Sequence, residues 1–301
     1  MTLFDIIIER EALTRIEKFG RLCEKMGYIP IVGFSGGKDS QVVYDLCKKS
    51  GINFKAVFNH CFESNVTLRF IREFYPEVEW RRVIKEGFFE NIRKNHKGML
   101  PTVEVAYCCQ DYKHNPQFVD KASIVGVRAQ ESLSRRQRKV VEFKNKKELK
   151  KHTFVYEYFE ERCVATGATH EVQLKPIIDW SDENVWDYIH KYNLPVNPEY
   201  EVFKRVGCVI CPKANFNSNY KTLLKYPKLI DACIKARDNA DRDTPDWVIT
   251  GENKDFSNNK PYYVCKWLNH SFRSFTKKQE EKLREVLKKY EECRINELKK
   301  R

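Results

Sequence analysis

The chain has 301 residues, of which 42% are hydrophobic and 13% aromatic, enough for one large domain or for a domain with an appendage. No apolar run reaches the roughly 18 residues of a transmembrane helix, and Met1-Thr2-Leu3-Phe4-Asp5, soon followed by Glu9 and Glu11, lacks signal-peptide design, so a soluble, cytoplasmic protein with no membrane partner is expected. The net charge of +13 attracts polyanions, which suits a nucleic-acid partner, but lysine-rich runs at 144–151 and 277–289 fit a solvated helical surface equally. Eleven cysteines in a long chain of this kind argue for reduced thiols or metal ligation rather than a disulfide scaffold.

In chain order, apolar positions at Leu3, Ile6, Ile7, Leu13, Ile16, Phe19, Leu22 and Cys23 predict a helix over 3–26. Residues 28–34 read as a buried strand, followed by a Ser-Gly-Gly turn and a helix over 41–49 that turns Val42, Val43, Leu46 and Cys47 inward. Strands at 54–58 and 78–84 alternate with helices at 67–74 and 88–93; a further strand covers 121–127. Residues 171–178 read as extended, and 182–192 as a helix capped by Ser181 with acidic residues in its first turn. The alternation predicts an α/β fold, a doubly wound, mostly parallel sheet, occupying 1–200 and carrying a charged insertion over 134–162, expected as a hairpin or mobile loop. The remainder, 201–301, holds a cysteine pair and a small helical region with helices over 220–238 and 276–300, separated by a polar loop at 253–261.

Gly33-Phe34-Ser35-Gly36-Gly37-Lys38-Asp39-Ser40 lies between a predicted strand and a predicted helix, where open α/β sheets bind ligands. Adjacent glycines let backbone amides approach an anion, the helix start directs its N–H groups there, and Lys38 adds a point charge. The spacing is not that of the Walker A loop. An ordinary tight turn is the alternative. Two cysteine pairs, Cys108-Cys109 and Cys208-x-x-Cys211, offer four thiolates for zinc or an iron–sulfur cluster; adjacent cysteines are less usual for structural zinc. A buried apolar pair beside a separate redox or packing pair is the alternative. The other seven cysteines read as core or incidental, and the histidines, apart from His60, as surface or packing residues.

The hexapeptide Ser35–Ser40 resembles the pyrophosphate loop of the ATP pyrophosphatases, the adenine nucleotide α-hydrolase-like superfamily. That resemblance implies ATP, its β- and γ-phosphates in the loop with Mg2+, and the adenine over the sheet edge near Phe34 and His60. Cys-Cys followed by Cys-x-x-Cys is similar to the iron–sulfur form of the adenylyl-sulfate and phosphoadenylyl-sulfate (PAPS) reductase family and implies a 4Fe–4S cluster on Cys108, Cys109, Cys208 and Cys211, with zinc the lesser alternative. Gly126-Val127-Arg128-Ala129-Gln130-Glu131-Ser132 resembles a further segment of that family, as does the stretch from Leu174 to Trp186; together the matches cover 28–215. Arg128 is expected as a phosphate or sulfate clamp, with Lys38 and Asp39 beside it in catalysis. Glu131 is expected to orient Arg128 or bind metal; Asp179 and Trp180 to fix a turn. Arg135, Arg136 and Arg138 fit either a polyanion contact or a solvated basic loop.

The reductases' C-terminal Glu-Cys-Gly-Leu-His tail is not found; Cys293 follows Glu292, but Arg294-Ile295-Asn296 come next. Reductases also tend to a degraded loop, whereas Lys38, Asp39 and Ser40 are kept. Both departures favour adenylation of a substrate by ATP followed by sulfur transfer, similar to DNA phosphorothioation and cluster-dependent tRNA thiolation enzymes, with a sulfur-donor protein such as a cysteine desulfurase as partner. The alternatives are reduction of adenylyl sulfate or PAPS to sulfite by an external thiol, and a non-enzymatic nucleic-acid-binding module.

Overall fold

Short apolar runs become strands of a sheet, and the helices between them bury one face each. The computed structural model describes residues 3–82, 84–114, 120–159, 163–165, 170–238, 260–268 and 275–299. The chain divides into two units. The first comprises 1–60, 65–81 and 114–207; the second comprises 61–64, 82–113 and 208–301. This replaces the expected single boundary at residue 200: the chain leaves the first unit and returns to it twice before its last exit.

The first unit holds, in order, α1 (Leu3–Met26), β1 (Ile31–Gly33), α2 (Lys38–Ser50), β2 (Lys55–Asn59), α3 (Asn65–Phe74) and β3 (Glu79–Arg81). In the second unit follow α4 (Phe88–Asn95) and α5 (Tyr107–Tyr112). Back in the first come β4 (Ala122–Ile124), α6 (Leu133–Arg136), β5 (Val141–Phe143), α7 (Lys146–Lys151), α8 (Tyr156–Phe159), β6 (Cys163–Ala165), β7 (Val172–Leu174) and α9 (Asp182–Lys191). The seven-stranded sheet has the order β3-β2-β1-β4-β7-β5-β6, and every pairing is parallel except the antiparallel β5–β7. The expected α/β architecture with a mostly parallel sheet is therefore present. β1 lies between β2 and β4, so the chain runs outward in opposite directions from its carboxyl end, which opens a crevice there.

Val42, Val43, Leu46 and Cys47 are fully buried, at the spacing that lines one side of α2. Burying each of the three aliphatic side chains contributes about 1.5–3 kcal/mol. Gly51 ends the helix at φ +68°, its amide closing on the Lys48 carbonyl. Arg15 on α1 is buried and gives its guanidinium to both oxygens of Asp179, at 2.8 and 2.7 Å, tying α1 to the turn before α9. Asp179 and the buried Trp180 are thus parts of the scaffold.

The charged insertion is neither a hairpin nor a loose loop. Its β5 joins the sheet with all three residues buried, and the Glu142 carboxylate is held by Arg138 at 2.7 Å and Lys175 at 3.0 Å. In the second unit, the helix expected over 220–238 is two helices, α10 (Phe216–Lys225) and α11 (Leu229–Asp238), because Pro227 cannot supply the amide of a continuous helix. Helices Lys260–Leu268 and Lys277–Leu298 follow; the polar loop expected at 253–261 falls outside the described residues except for Lys260 and Pro261, which begin the first of these helices. Buried Phe88, Ile92, Ile230, Cys233, Leu283, Val286 and Tyr290 belong to a second core. Among the described residues no helix is long and apolar enough to cross a membrane.

Candidate nucleotide site and thiol cluster

The glycine turn leaves the end of β1 and enters α2 without a side-chain cap on its N-terminus. Gly36 stands at φ +72°, and a Cβ there would also lie 3.1 Å from Ile71 and Thr67, so a larger residue would be both strained and crowded. The turn is braced from within and without. The Ser40 hydroxyl donates to the Gly37 carbonyl at 2.8 Å and accepts from the Ser35 amide at 3.1 Å. The Gly36 carbonyl accepts from Gln41 at 3.1 Å and from Asn197 at 3.0 Å, and Asn197 is fully buried. The Lys38 amide donates to the Tyr200 hydroxyl at 2.8 Å.

Gly126, at the carboxyl end of β4, faces this turn. A Cβ there would lie 2.7 Å from the Asp39 carbonyl oxygen, so only glycine lets β4 approach α2 so closely. Two residues on, the Arg128 guanidinium meets Asp39 at 2.5 Å and Asp182 at 2.8 Å. The Lys38 ammonium meets Asp182 at 2.7 Å and Asp39 at 3.2 Å. Both cations are almost wholly buried, at 5% and 4% exposure, whereas Asp182 is open to solvent. Burial pushes the Asp182 carboxyl upward, but the hydrogen bond and charge of Lys38 and the charge of Arg128 outweigh it and hold the group below its ordinary range.

These four side chains line a cavity of about 290 Å³ together with Gln130, Glu131, Tyr200, Lys204 and Arg205. Positive charge exceeds negative there. Burial, together with Arg205, Arg128 and Arg138, depresses the Arg135 guanidinium, which shows how crowded the cations are. A cavity rich in buried cations beside a helix N-terminus favours a multiply charged anion. Burial keeps the Tyr200 phenol protonated, so it can accept from the Lys38 amide and still donate its own proton.

The other expected residues are placed differently. The Phe34 ring is buried against Tyr44 and Tyr75, centroids 5.7 and 4.6 Å away, so its side chain serves the core instead of the cavity. His60 follows β2 and lies against Phe58 and Trp80; it does not line the cavity. The Glu131 carboxylate accepts from the Arg128 amide at 3.3 Å and pairs with Arg135, closing a short turn. Asp182, Gln130, Tyr200, Lys204 and Arg205 were not singled out from the sequence as site residues. In the sequence Asp182 stands as an acidic residue in the first turn of α9, within the stretch from Leu174 to Trp186 that resembles the family.

The four expected cysteines all fall in the second unit. Cys108 and Cys109 lie in the first turn of α5 and hydrogen-bond to each other, and Cys208 and Cys211 bear electrostatically on Cys108. A fifth thiol joins them. Cys61, read from the sequence as core or incidental, is buried in the second core and hydrogen-bonds to Cys208. The antiparallel bridge between Glu63 and Cys208, with the Val209 amide on the Phe62 carbonyl at 2.8 Å, holds the two segments together. The hydrogen bond from Cys61 draws the Cys208 thiol down against its burial, aided by the Lys113 ammonium. The Cys109 thiol is drawn down by Cys108, with Lys213 and Lys113 assisting. Two of these thiols are thus biased toward thiolate, with ammonium groups near them.

Residues 29–214, more than half of the chain, match the phosphoadenosine phosphosulfate reductase domain. The chain belongs to that family. Among curated relatives, an uncharacterized protein of Methanocaldococcus jannaschii is 26% identical over 238 residues, covering 75% of this chain and 52% of that protein. Adenosine 5'-phosphosulfate reductase of Bacillus cereus is 25% identical over 186 residues, covering 59% of this chain and 70% of that enzyme. The chain spans about half the length of the archaeal relatives it matches, 52% and 41%. A phosphate complex of the PAPS reductase from Candida auris superimposes with a TM-score of 0.43 at 14% identity, covering 64% of this chain and 87% of that one. The family match covers the Ser35–Ser40 turn, Arg128 and Asp182, and extends past Cys211.

Proposed function

We propose that this member of the PAPS reductase family binds ATP at the Ser35–Ser40 turn and adenylates an acceptor for sulfur transfer. The observation that carries the reading is the convergence of buried Lys38 and Arg128 with Asp39 and Asp182 on one cavity at the start of α2. Two cations suit phosphate oxygens. Two carboxylates suit Mg2+, which accompanies a triphosphate. On binding, Lys38 and Arg128 turn from the carboxylates to the phosphates, and Asp39 and Asp182 would hold the Mg2+, which would screen the phosphate charge. An acceptor oxygen attacks the α-phosphorus, the bond from that phosphorus to the bridging oxygen breaks, and pyrophosphate leaves, its charge held by Lys38, Arg128 and the amides of the turn. A hydrosulfide delivered by a donor protein then attacks the adenylated atom of the acceptor, the bond to the AMP oxygen breaks, and AMP leaves as the acceptor is thiolated.

The thiols of Cys108, Cys109, Cys208 and Cys211 would hold a 4Fe–4S cluster, with zinc the lesser alternative, and such a cluster supplies electron or sulfur relay. The net charge of +13 favours a nucleic acid as the acceptor. A second reading, reduction of adenylyl sulfate or PAPS to sulfite by an external thiol, is favoured by relatives that bear the name adenosine 5'-phosphosulfate reductase.

The test is to incubate the protein with Mg2+ and ATP labelled in the α- and γ-phosphates, with and without tRNA or duplex DNA, and to follow AMP and pyrophosphate. Parallel reactions with adenylyl sulfate or PAPS and a dithiol are assayed for sulfite. Acceptor-dependent pyrophosphate release that Lys38→Ala abolishes is the expected result. Sulfite formation without pyrophosphate release from ATP would establish the reductase reading instead. Neither product would leave the nucleic-acid-binding module as the account.

A further inference from the structure

The segment between β5 and β7 carries a group of side chains for which the nucleotide chemistry has no use. Glu148 lies on α7 and His152 caps its last turn, four residues later, a spacing that puts both on one side of the helix. Glu171 immediately precedes β7, and its carbonyl accepts from the Lys144 amide at 3.0 Å, which brings the head of β7 beside the chain leaving β5. A carboxylate oxygen from each glutamate and a ring nitrogen of His152 lie within 4.8 Å of one another. Two carboxylates this close repel unless a cation or a proton stands between them.

A second observation points to a cation. His152 is only 8% exposed, and its Nε2 is buried without a hydrogen-bond partner; Glu148 Oε2 is buried and unpartnered in the same way. A buried ring nitrogen left unsatisfied is unfavourable, and a ligand would satisfy it. The Lys151 ammonium stands 3.8 Å from Glu148 Oε2, beyond hydrogen-bonding distance. The surroundings fix the donors' orientation. The Tyr28 hydroxyl donates to Glu171 at 2.6 Å, and the Tyr28 and Phe154 rings pack edge-on to the imidazole.

We propose that Glu148, His152 and Glu171 bind one divalent cation of the zinc or manganese class through one imidazole nitrogen and two carboxylates. The mixed nitrogen and oxygen donors suit such an ion better than Mg2+, which prefers oxygen alone, or a thiophilic ion. Three protein ligands leave room for water or a small anion to complete the shell. None of the three residues lines the nucleotide cavity. The ion would fasten the end of α7 to the head of β7, and so hold the inserted segment on the sheet.

Mn2+ is the probe, because it takes these donors readily and competes poorly for the cysteines. Full-length protein stripped of loosely held metal is titrated with Mn2+, and the free ion is followed by electron paramagnetic resonance. The wild type is expected to take up one ion at this site, and His152→Ala and Glu171→Gln to weaken that uptake at least about tenfold. Thermal melting is expected to rise with Mn2+ in the wild type and not in Glu171→Gln. Should His152→Ala fail to fold, Glu171→Gln decides, since the amide oxygen still accepts from Tyr28. No uptake by the wild type, or equal uptake by wild type and Glu171→Gln, overturns the proposal.

Discussion

The turn of the first unit and the thiols of the second hold their chemistry in opposite ways. Around Ser35–Ser40 the backbone is braced by Ser40, Gln41, Asn197 and Tyr200, and the cations are already neutralised by Asp39 and Asp182. A ligand bound there, as proposed, would exchange partners within a finished frame. Cys61, Cys108, Cys109, Cys208 and Cys211 come from three separated stretches of chain, and their thiols meet weak thiol hydrogen bonds, nearby ammonium groups and, at Cys208, the Glu63 carboxylate at 3.7 Å. A preformed anion site spends little on reorganisation when it binds, whereas a thiol cluster gains most of its order from the ion it holds.

Substitutions should separate the two behaviours. The largest effect is expected at the cysteines: Cys208→Ser or Cys211→Ser should abolish retention of iron in anaerobically purified protein, read by iron and sulfide assay. ATP affinity should stay within about threefold, as expected of sites that share no residue. A collapse of ATP binding in the same variants would merge the two regions into one. Arg128→Ala comes next. It should lower pyrophosphate release by about 100-fold or more, as for loss of a donor to developing charge, while leaving iron content unchanged.

Gly126→Ala tests how tightly the frame is built. Its methyl would meet the Asp39 carbonyl at 2.7 Å, and the strain should cost about 1–3 kcal/mol, seen as a lower denaturant midpoint. Tyr200→Phe removes the acceptor of the Lys38 amide and one donor to the cavity; about 1 kcal/mol, or roughly fivefold in ATP affinity, is expected.

The smallest effect concerns the scaffold under the site. Burial pushes the Lys175 ammonium down from 10.5 to about 8, beside Glu142. The unfolded chain therefore binds the proton more tightly than the folded one above that value. Lys175 opposes folding fully below about pH 8, and its penalty fades as pH rises toward its unfolded value. Wild-type stability should thus rise between about pH 8 and about pH 9.5 relative to Lys175→Met, compared by chemical denaturation. A parallel pair of curves would remove Lys175 as the cause.

The β1–turn–α2 unit was legible because its signals are local: an apolar strand, two glycines, a lysine and an amphipathic helix in immediate succession. Arg128 was legible through its position after a strand and a glycine. Asp182 and Tyr200 were not, since nothing at residue 182 or 200 announces that the fold returns it to residue 38. The insertion misled for a different reason. In β5 the middle residue, Glu142, is charged yet fully buried, so a three-residue strand carried no alternation to read. Cys61 was one thiol among eleven, and only the bridge between Glu63 and Cys208 shows its place. Phe34 was drawn toward the ligand by its position beside the turn, whereas its size and apolarity send it into the core.

The most direct measurement is a calorimetric titration of Mg2+ and ATP into the wild type and into Lys38→Ala, with folding verified by circular dichroism. The account predicts one site in the wild type and at least about tenfold weaker binding in the variant, as for loss of a charge-assisted contact to phosphate. Equal affinity in the two proteins would contradict it.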